Sequence, residues 1–380
     1  MTKFIAPGSF VGIIGGGFAG YQLAMTARQM GMKTVILTSS PDDIAFKAAD
    51  MKMVGSANDP KVLSEFNKHV DVMTYIDETV VGGDMLTDAV PAAKLPSGTD
   101  ILSFTQDRYL EKVFLEDLNM NVLPYTQVVS SDDVDKAIDS LGYPSVLKPL
   151  QKSFKDRHLL LENDADVWRA KGLMDSRPFI MEAWLDHPRQ LAIICVKSDD
   201  GLQVMPLIEI DEGVEGLNAI IEPAQVDGSV LVESLRIAET VGAKVDYLGV
   251  FAIEFFLTKE GTLYVKRVTP GPRMYGDVIG SVAPDDQYDL HLRAVLGWPV
   301  PTVPIDGSAV LIPLRESQRD AVATQIQIKP LWRWRFFAAG PVFGELTVPG
   351  PLMDALSAIA ATQQFGINAQ SQNYKTEDKS

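Results

Sequence analysis

A set of glycines near the N-terminus is the first group whose type and spacing predict chemistry. Gly15, Gly16, Gly17 and Gly20 follow the apolar run 10–14 and precede a stretch with helical periodicity. Glycines at these spacings between a strand and a helix fit the dinucleotide-binding fingerprint, in which backbone amides face an anion. The pattern therefore predicts a substrate or anion site at this turn.

The second half of that fingerprint is missing. A carboxylate for a ribose hydroxyl is expected near the end of the second strand, where this chain reads Leu37-Thr38-Ser39-Ser40. The missing acid argues against a nicotinamide-dependent dehydrogenase. Two interpretations remain open: a turn that directs amides at an anion, or a turn that only lets helix and strand pack closely.

A single acid inside an apolar strand is the second group. Glu254 lies in the run 249–257, which is followed by a turn at 259–261 and a second strand at 262–268. A buried charge without a partner costs too much free energy to be kept, and this hairpin would make Arg267 a diagonal neighbour on the same face. One carboxylate beside Lys266 and Arg267 is a poor site for a divalent cation. The sequence therefore favours an ion pair between Glu254 and Arg267 over bound magnesium.

These groups need an α/β framework to position them. The opening reads as β-α-β, with further apolar runs at 51–54 and 70–75, and predicts a doubly wound parallel sheet. Helical patterns follow at 107–119 and 130–141, and a strand at 144–148. The runs 179–181, 191–196 and 204–210, with the hairpin that follows them, predict an antiparallel sheet.

Composition narrows the class of protein. The chain has 380 residues, enough for two to three domains, and its 34 basic and 50 acidic side chains give a formal charge of −16. Such a charge disfavours nucleic acid and anionic membranes as partners. No secretory signal or membrane-spanning run is visible, so we expect a soluble cytoplasmic protein. Cys195, the only cysteine, lies in an apolar flank that predicts a buried strand position.

Several segments together resemble the ATP-grasp ligases, and among them the 5-(carboxyamino)imidazole ribonucleotide synthases of purine (IMP) biosynthesis. The resemblance runs over residues 8 to 315 at least and rests on IIGGGFAGYQLAMTARQMG, FTQDRYLEKVFLEDLNMNVLPY, SLGYPSVLK, FIMEAWL, VDYLGVFAIEFFLTKEGTLYV and DLHLRAVLGWPV. It implies a Rossmann-like preATP-grasp domain at 1–104 and an ATP-grasp region at 105–300, divided near residue 180. A small β-rich segment at 301–365 and a flexible tail at 366–380 would complete the chain.

The resemblance also implies a reaction, its cofactors and a homodimer. ATP and bicarbonate would form carboxyphosphate, which carboxylates the amine of aminoimidazole ribonucleotide with magnesium as the metal. The resemblance assigns nucleotide binding to the backbone at Trp184 and Leu185 and to positions filled here by Arg108, Lys112, Lys148, Glu182, Ala183 and Gln190. It places Glu78 near the substrate and His291 in a structural helix.

The chain departs from the family pattern where the chemistry is expected. Glu254 matches the first magnesium-ligand position, but the second acid is replaced by Arg267. The phosphate-covering loop has no glycine, and Lys152, Lys155 and Arg157 there read as a solvated basic loop. Arg273, in the altered acceptor loop 269–277, is a candidate catalytic residue. The run 332–335 alternates tryptophan and arginine, which predicts a strand with packed tryptophans and solvated arginines.

Three hypotheses follow. The chain is an active carboxylating ligase, a paralogue that keeps the fold and nucleotide binding but has lost or changed the chemistry, or an ATP-grasp ligase for another carboxylate and amine.

Overall fold

The computed structural model describes residues 3–153, 158–174, 177–213, 216–302, 304, 307–337 and 342–365. The predicted tail at 366–380 and the basic residues Lys155 and Arg157 lie outside these ranges. No helix within them is long and apolar enough to cross a membrane.

The N-terminal part is a parallel sheet covered on both faces. Its strands lie in the order β3-β2-β1-β4, which confirms the predicted parallel sheet. Val11 and Ile13 of the first strand pack against the first helix, while Ile14 packs in the opposite layer with Phe66, as expected of a strand buried on both sides. The elements are β1 (Phe10–Ile14), α1 (Gly17–Gln29), β2 (Lys33–Thr38), β3 (Met51–Val54), α2 (Pro60–Lys68), β4 (Val72–Tyr75), α3 (Gly83–Ala89) and α4 (Asp100–Thr105).

A second, antiparallel sheet follows, with strand order β5-β8-β6-β7. Its core is formed by aliphatic side chains of the strands and of two flanking helices. The elements are α5 (Arg108–Asp117), β5 (Tyr125–Val128), α6 (Ser131–Leu141), β6 (Ser145–Pro149), β7 (Leu159–Leu161), α7 (Asp164–Lys171) and β8 (Phe179–Ala183).

The third sheet has eight antiparallel strands in the order β13-β12-β9-β10-β11-β14-β16-β15. The C-terminal strands extend the sheet that carries Glu254, because β14 pairs with β11. The predicted domain boundaries stay a prediction. The elements are β9 (Arg189–Ser198), β10 (Gly201–Gly213), β11 (Gly216–Glu222), α8 (Gly228–Lys244), β12 (Gly249–Leu257), β13 (Leu263–Pro270), α9 (Ile279–Val282), α10 (Gln287–Val295), β14 (Ala309–Arg315), α11 (Arg319–Ile328), β15 (Arg333–Phe336), β16 (Val342–Pro349) and α12 (Leu352–Ala360).

One buried histidine ties the first sheet to the third. His291 on α10 lies 2.8 Å from the Thr74 hydroxyl and accepts the N–H of Val250 at 3.0 Å. Burial lowers the pKa of His291 to about 3, so the ring is neutral. The structural role predicted for His291 is confirmed, and Cys195 is buried on β9 as predicted.

We predict that Gly271→Ala destabilises the protein because this turn touches the first domain. Gly271 has a φ of +82°, and a Cβ there would lie 2.2 Å from the carbonyl oxygen of Ile76. Gly261 has a similar φ of +85° but no described atom within 4 Å of that position. In urea unfolding we expect a loss of roughly 3 kcal/mol for Gly271→Ala and about 1 kcal/mol for Gly261→Ala. Equal losses would contradict the close contact.

A buried carboxyl at the end of β11 predicts a pH dependence of stability. Glu222 is fully buried, and neither carboxyl oxygen has a hydrogen-bond partner among the described residues. Burial raises the pKa of Glu222 from 4.5 to about 7. Between these values the folded state keeps a proton that the unfolded state has lost, so stability falls as pH rises through this window.

Glu222→Gln should remove this contribution. Measured by urea unfolding, the difference in unfolding free energy between the variant and the wild type should be about 3 kcal/mol larger above pH 7 than below pH 4.5, in favour of the variant. The exposed Glu239→Gln is the control and should show no such difference. A constant offset for Glu222→Gln at every pH would contradict the prediction.

Candidate functional site

Strands β12 and β13 bring one acid and two cations together. Arg267 lies directly opposite Glu254 in the ladder, and the register then shifts so that Phe255 faces Val265. Lys266 is therefore the extra residue of a β-bulge, which lets two neighbouring side chains of one strand face a single residue of the other. The predicted diagonal placement is wrong, because the bulge pairs Glu254 and Arg267 directly.

We call Glu254, Lys266, Arg267, Tyr275 and Gln190 the Glu254 cluster. Arg267 donates from Nε and Nη2 to Glu254 Oε1 at 2.8 and 2.7 Å, and Tyr275 donates to the same oxygen at 3.0 Å. Lys266 lies 3.1 Å from Oε2. Burial alone would raise the pKa of Glu254, but Arg267 and Lys266 outweigh it and hold the pKa well below its usual value. The predicted ion pair is confirmed.

This donor set does not fit magnesium. Both oxygens of Glu254 are already occupied by cations, and the opposing strand supplies no second carboxylate. Among the residues that the structure describes, no group of three or more His, Cys, Asp or Glu could hold a metal ion. A hard divalent cation needs several oxygen ligands, which this cluster does not supply.

Gln190 extends the Glu254 cluster to the next strand. Its Oε1 accepts from Lys266 at 2.7 Å, and its Nε2 donates to Glu212 at 2.8 Å. The predicted role of Gln190 toward a ribose stays a prediction. Both ends of its amide are engaged within the chain, which fixes its orientation.

A second buried acid, Glu182, contacts the two lysines that are predicted to bind the nucleotide. Lys148 on β6 hydrogen-bonds Glu182 Oε2, and Lys112 on α5 lies 3.4 Å from Oε1. Burial would raise the pKa of Glu182, but the two lysines lower it to about 2. We call these three residues the Glu182 cluster. Lys112 is buried beside this carboxylate.

Two backbone amides beside Glu182 already form hydrogen bonds within the chain. The N–H of Ala183 donates to the carbonyl oxygen of Pro124 at 2.9 Å, and that of Trp184 donates to the carbonyl oxygen of Pro144 at 3.1 Å. The N–H of Trp184 is thus already donated within the chain, although the resemblance implies that the backbone here binds the nucleotide. Nucleotide binding at Leu185 stays a prediction.

Arg108 lies at the start of α5 and holds the end of β6. Its Nη1 donates to the carbonyl oxygen of Pro149 at 2.6 Å. Burial lowers the pKa of Lys148 despite the opposing effect of Glu182, and Lys112 and Arg108 lower it further. The predicted nucleotide-side cations therefore share one electrostatic environment.

Four charged side chains connect the segment after β4 to the rest of the chain: Glu78, Glu111 and Lys152 are buried, and Arg273 is 25% exposed. Arg273 donates to Glu78 at 2.7 Å and lies 3.8 Å from Asp77, while Lys152 lies 2.8 Å from Glu111 and 3.8 Å from Glu78. We call Glu78, Glu111, Lys152 and Arg273 the Glu78 network. A solvated loop is the wrong interpretation for Lys152, whose side chain is only 6% exposed. The sequence missed its partner Glu111 because the two residues are far apart in the chain.

The glycine-rich turn is closed by a side chain of the protein itself. Asp43 accepts the N–H of Gly17 at 2.8 Å, and a Cβ on Gly16 would lie 2.0 Å from its Oδ2. A Cβ on Gly20 would lie 2.7 Å from the carbonyl oxygen of Gly15. Of the two interpretations left open by the sequence, this geometry favours close packing over a free anion site. Asp43 could have been noticed as a capping residue before the short run 44–46.

The C-terminal strands place a further charged group against the acceptor loop. Arg335 lies 3.2 Å from Glu345 and 4.0 Å from Asp277, both of them buried. Burial raises the pKa of both carboxyls. Trp332 is buried and Arg333 is exposed, as predicted, whereas Arg335 is 38% exposed and is also paired with the buried acids.

We predict that Asp43→Ala loosens the glycine-rich turn. The carboxylate also accepts from Ala45 at 2.9 Å and from the Thr38 hydroxyl at 3.1 Å. Its loss should lower the free energy of unfolding by about 1 to 2 kcal/mol. Asp43→Asn keeps one oxygen acceptor and should lose less, as measured by urea unfolding. Equal stability of Asp43→Ala and the wild type would contradict the prediction.

Comparison with known proteins identifies two domains and a group of similar proteins. The ATP-grasp domain model matches residues 113–278, and the ribonucleotide synthetase preATP-grasp domain model matches residues 9–87. The N5-carboxyaminoimidazole ribonucleotide synthase of Bacillus subtilis (strain 168) is 28% identical over 300 residues, 78% of this chain and 79% of that protein. That of Staphylococcus aureus (strain COL) is 26% identical and covers 87% and 88%.

Solved structures have the same fold as this protein along nearly the whole chain. An ADP complex of N5-carboxyaminoimidazole ribonucleotide synthetase superposes with a TM-score of 0.87 at 26% identity, covering 96% of this chain and 98% of that one. The Staphylococcus aureus N5-carboxyaminoimidazole synthetase complexed with ADP gives 0.86 at 25% identity, covering 95% and 98%. The predicted fold class and resemblance are confirmed: the chain has a preATP-grasp domain followed by an ATP-grasp domain, and in sequence and fold it is similar to the N5-carboxyaminoimidazole ribonucleotide synthases.

Proposed function

We propose that this protein is an ATP-dependent ligase that carboxylates 5-aminoimidazole ribonucleotide in purine biosynthesis. Bicarbonate would attack the γ-phosphorus of ATP, releasing ADP and forming carboxyphosphate. The amine of the ribonucleotide would then take the carboxyl group and phosphate would leave. The observation that carries the proposal is the match to an ADP-bound synthetase over 96% of the chain, which includes both the nucleotide side and the acceptor side.

The proposal gives different tasks to the Glu182 cluster, to the Arg273–Glu78 ion pair and to Arg108. The Glu182 cluster would bind the nucleotide, because Lys112 and Lys148 are held in place by one carboxylate. Arg273 and Glu78 would lie on the acceptor side, where their ion pair joins the first domain to the loop after β13. Arg108 would fix the strand that carries Lys148.

A specific observation favours a second candidate. The Glu254 cluster has two cations where the family reaction needs carboxylates for magnesium, and Glu254 itself is saturated. A paralogue that keeps nucleotide binding but has lost turnover would have this arrangement. A homodimer and a cytoplasmic location also remain part of the proposal, on the resemblance alone.

The test is to follow ADP release with ATP, magnesium, bicarbonate and 5-aminoimidazole ribonucleotide. The first candidate predicts ADP release that depends on the ribonucleotide, together with a carboxylated product. Lys148→Met should reduce that rate at least about tenfold, because it removes a charge-assisted contact to the nucleotide. Arg236→Gln, on the exposed face of α8, is the control and should leave the rate unchanged.

Absence of ribonucleotide-dependent ADP release would contradict the first candidate. If the same preparation still binds ADP, the result supports the paralogue. ADP release with a different carboxylate and amine, and none with the ribonucleotide, would instead support a ligase of other specificity.

A further inference from the structure

The Glu254 cluster carries more positive charge than its own acid requires. Glu254 supplies one carboxylate, and Lys266 and Arg267 supply two cations, which leaves an excess of one positive charge. Glu78 also attracts Arg267 electrostatically, but its ion pair is with Arg273 at 2.7 Å, and Glu111 is paired with Lys152 at 2.8 Å.

Both cations keep side-chain surface that the carboxylate does not cover. The Arg267 side chain is 41% exposed and that of Lys266 is 24% exposed, whereas Glu254 is only 3% exposed. A guanidinium has five N–H donors and an ammonium has three. Glu254 and Gln190 account for only part of them.

The cluster is also held rigidly enough to act as a site. The bulge fixes the backbone of Lys266, and its ammonium lies 5.2 Å from the ring centroid of Phe256. The ammonium also donates to Gln190, which is itself held by a hydrogen bond to Glu212. Tyr275 donates a further hydrogen bond to Glu254 and restricts its carboxylate. Cations held in advance lose little entropy when a ligand binds.

We propose that Lys266 and Arg267 form a metal-independent site for the phosphate groups of a nucleoside polyphosphate. The two side chains supply the positive charge that a divalent cation supplies where carboxylates line such a site. Glu254 orients them and prevents their mutual repulsion from opening the bulge. This inference rests on the proposed nucleotide binding, but it does not require turnover.

The test measures ADP binding by calorimetry in excess EDTA and again in excess magnesium. We expect the wild-type Kd in EDTA to lie within about threefold of its value in magnesium. Inorganic tripolyphosphate and adenosine are tested as separate competitors in EDTA. Competition by tripolyphosphate supports recognition through phosphate, and competition by adenosine alone contradicts it.

Two variants should act in opposite directions. Lys266→Asn combined with Arg267→Glu should weaken ADP binding in EDTA roughly tenfold and make magnesium strengthen it. Glu254→Gln keeps a hydrogen-bond acceptor while removing the competing charge, and should tighten metal-free binding about threefold. If the double variant does not fold by circular dichroism, Glu254→Gln alone decides the question, since a merely structural role predicts no tightening.

A charge-matched pair supplies the control. Lys244→Asn with Arg236→Glu makes the same change in net charge on the exposed face of α8 and should leave the Kd unchanged. Wild-type binding that EDTA abolishes and magnesium restores would overturn this inference while leaving the proposed function intact. Absence of ADP binding in both conditions would overturn the two together.

Discussion

A carboxylate buried on β12 of the largest sheet has to be neutralised by its neighbours. Glu254 is 2% exposed, and an unpaired charge in that position would cost several kcal/mol, on the order of a whole domain's net stability. The chain neutralises it from the adjacent strand, and the bulge at Lys266 allows two cations to do so. Lys266 then orients Gln190, so one burial constraint determines a whole row of side chains.

The need to neutralise a buried carboxylate also links the first domain to the rest of the chain. Glu78 belongs to the first domain, Arg273 to the loop after β13, and Lys152 to the segment after β6, yet they neutralise one another in a single buried network. Breaking one partner of a buried ion pair costs more than the pair contributes, because it leaves the other charge uncompensated. Charge substitutions here therefore change stability as well as chemistry, and binding has to be measured on variants shown to fold.

Local patterns predicted the elements better than they predicted their partners. The strands Phe10–Ile14, Met51–Val54 and Gly249–Leu257 coincide with their apolar runs because each run is bounded by turn residues or a change of polarity. The pairing of Glu254 with Arg267 followed from the cost of burial alone. The bulge did not, because side-chain alternation gives no sign of an extra residue. Asp43 and Lys152 were misjudged or missed for a related reason: their partners lie in elements that only tertiary structure brings close.

A cation at position 267 opposite Glu254 is self-consistent. A carboxylate there would need a divalent cation to offset its repulsion from Glu254, so the acid and the metal depend on each other. With Arg267 at this position there is no second carboxylate that would need a metal ion, and the guanidinium itself neutralises Glu254. The apolar strands on which the fold depends are unaffected, because the change alters charge at a partly exposed side chain. A chain can therefore keep the ATP-grasp architecture along its length while the charge that faces a bound polyphosphate comes from the protein itself.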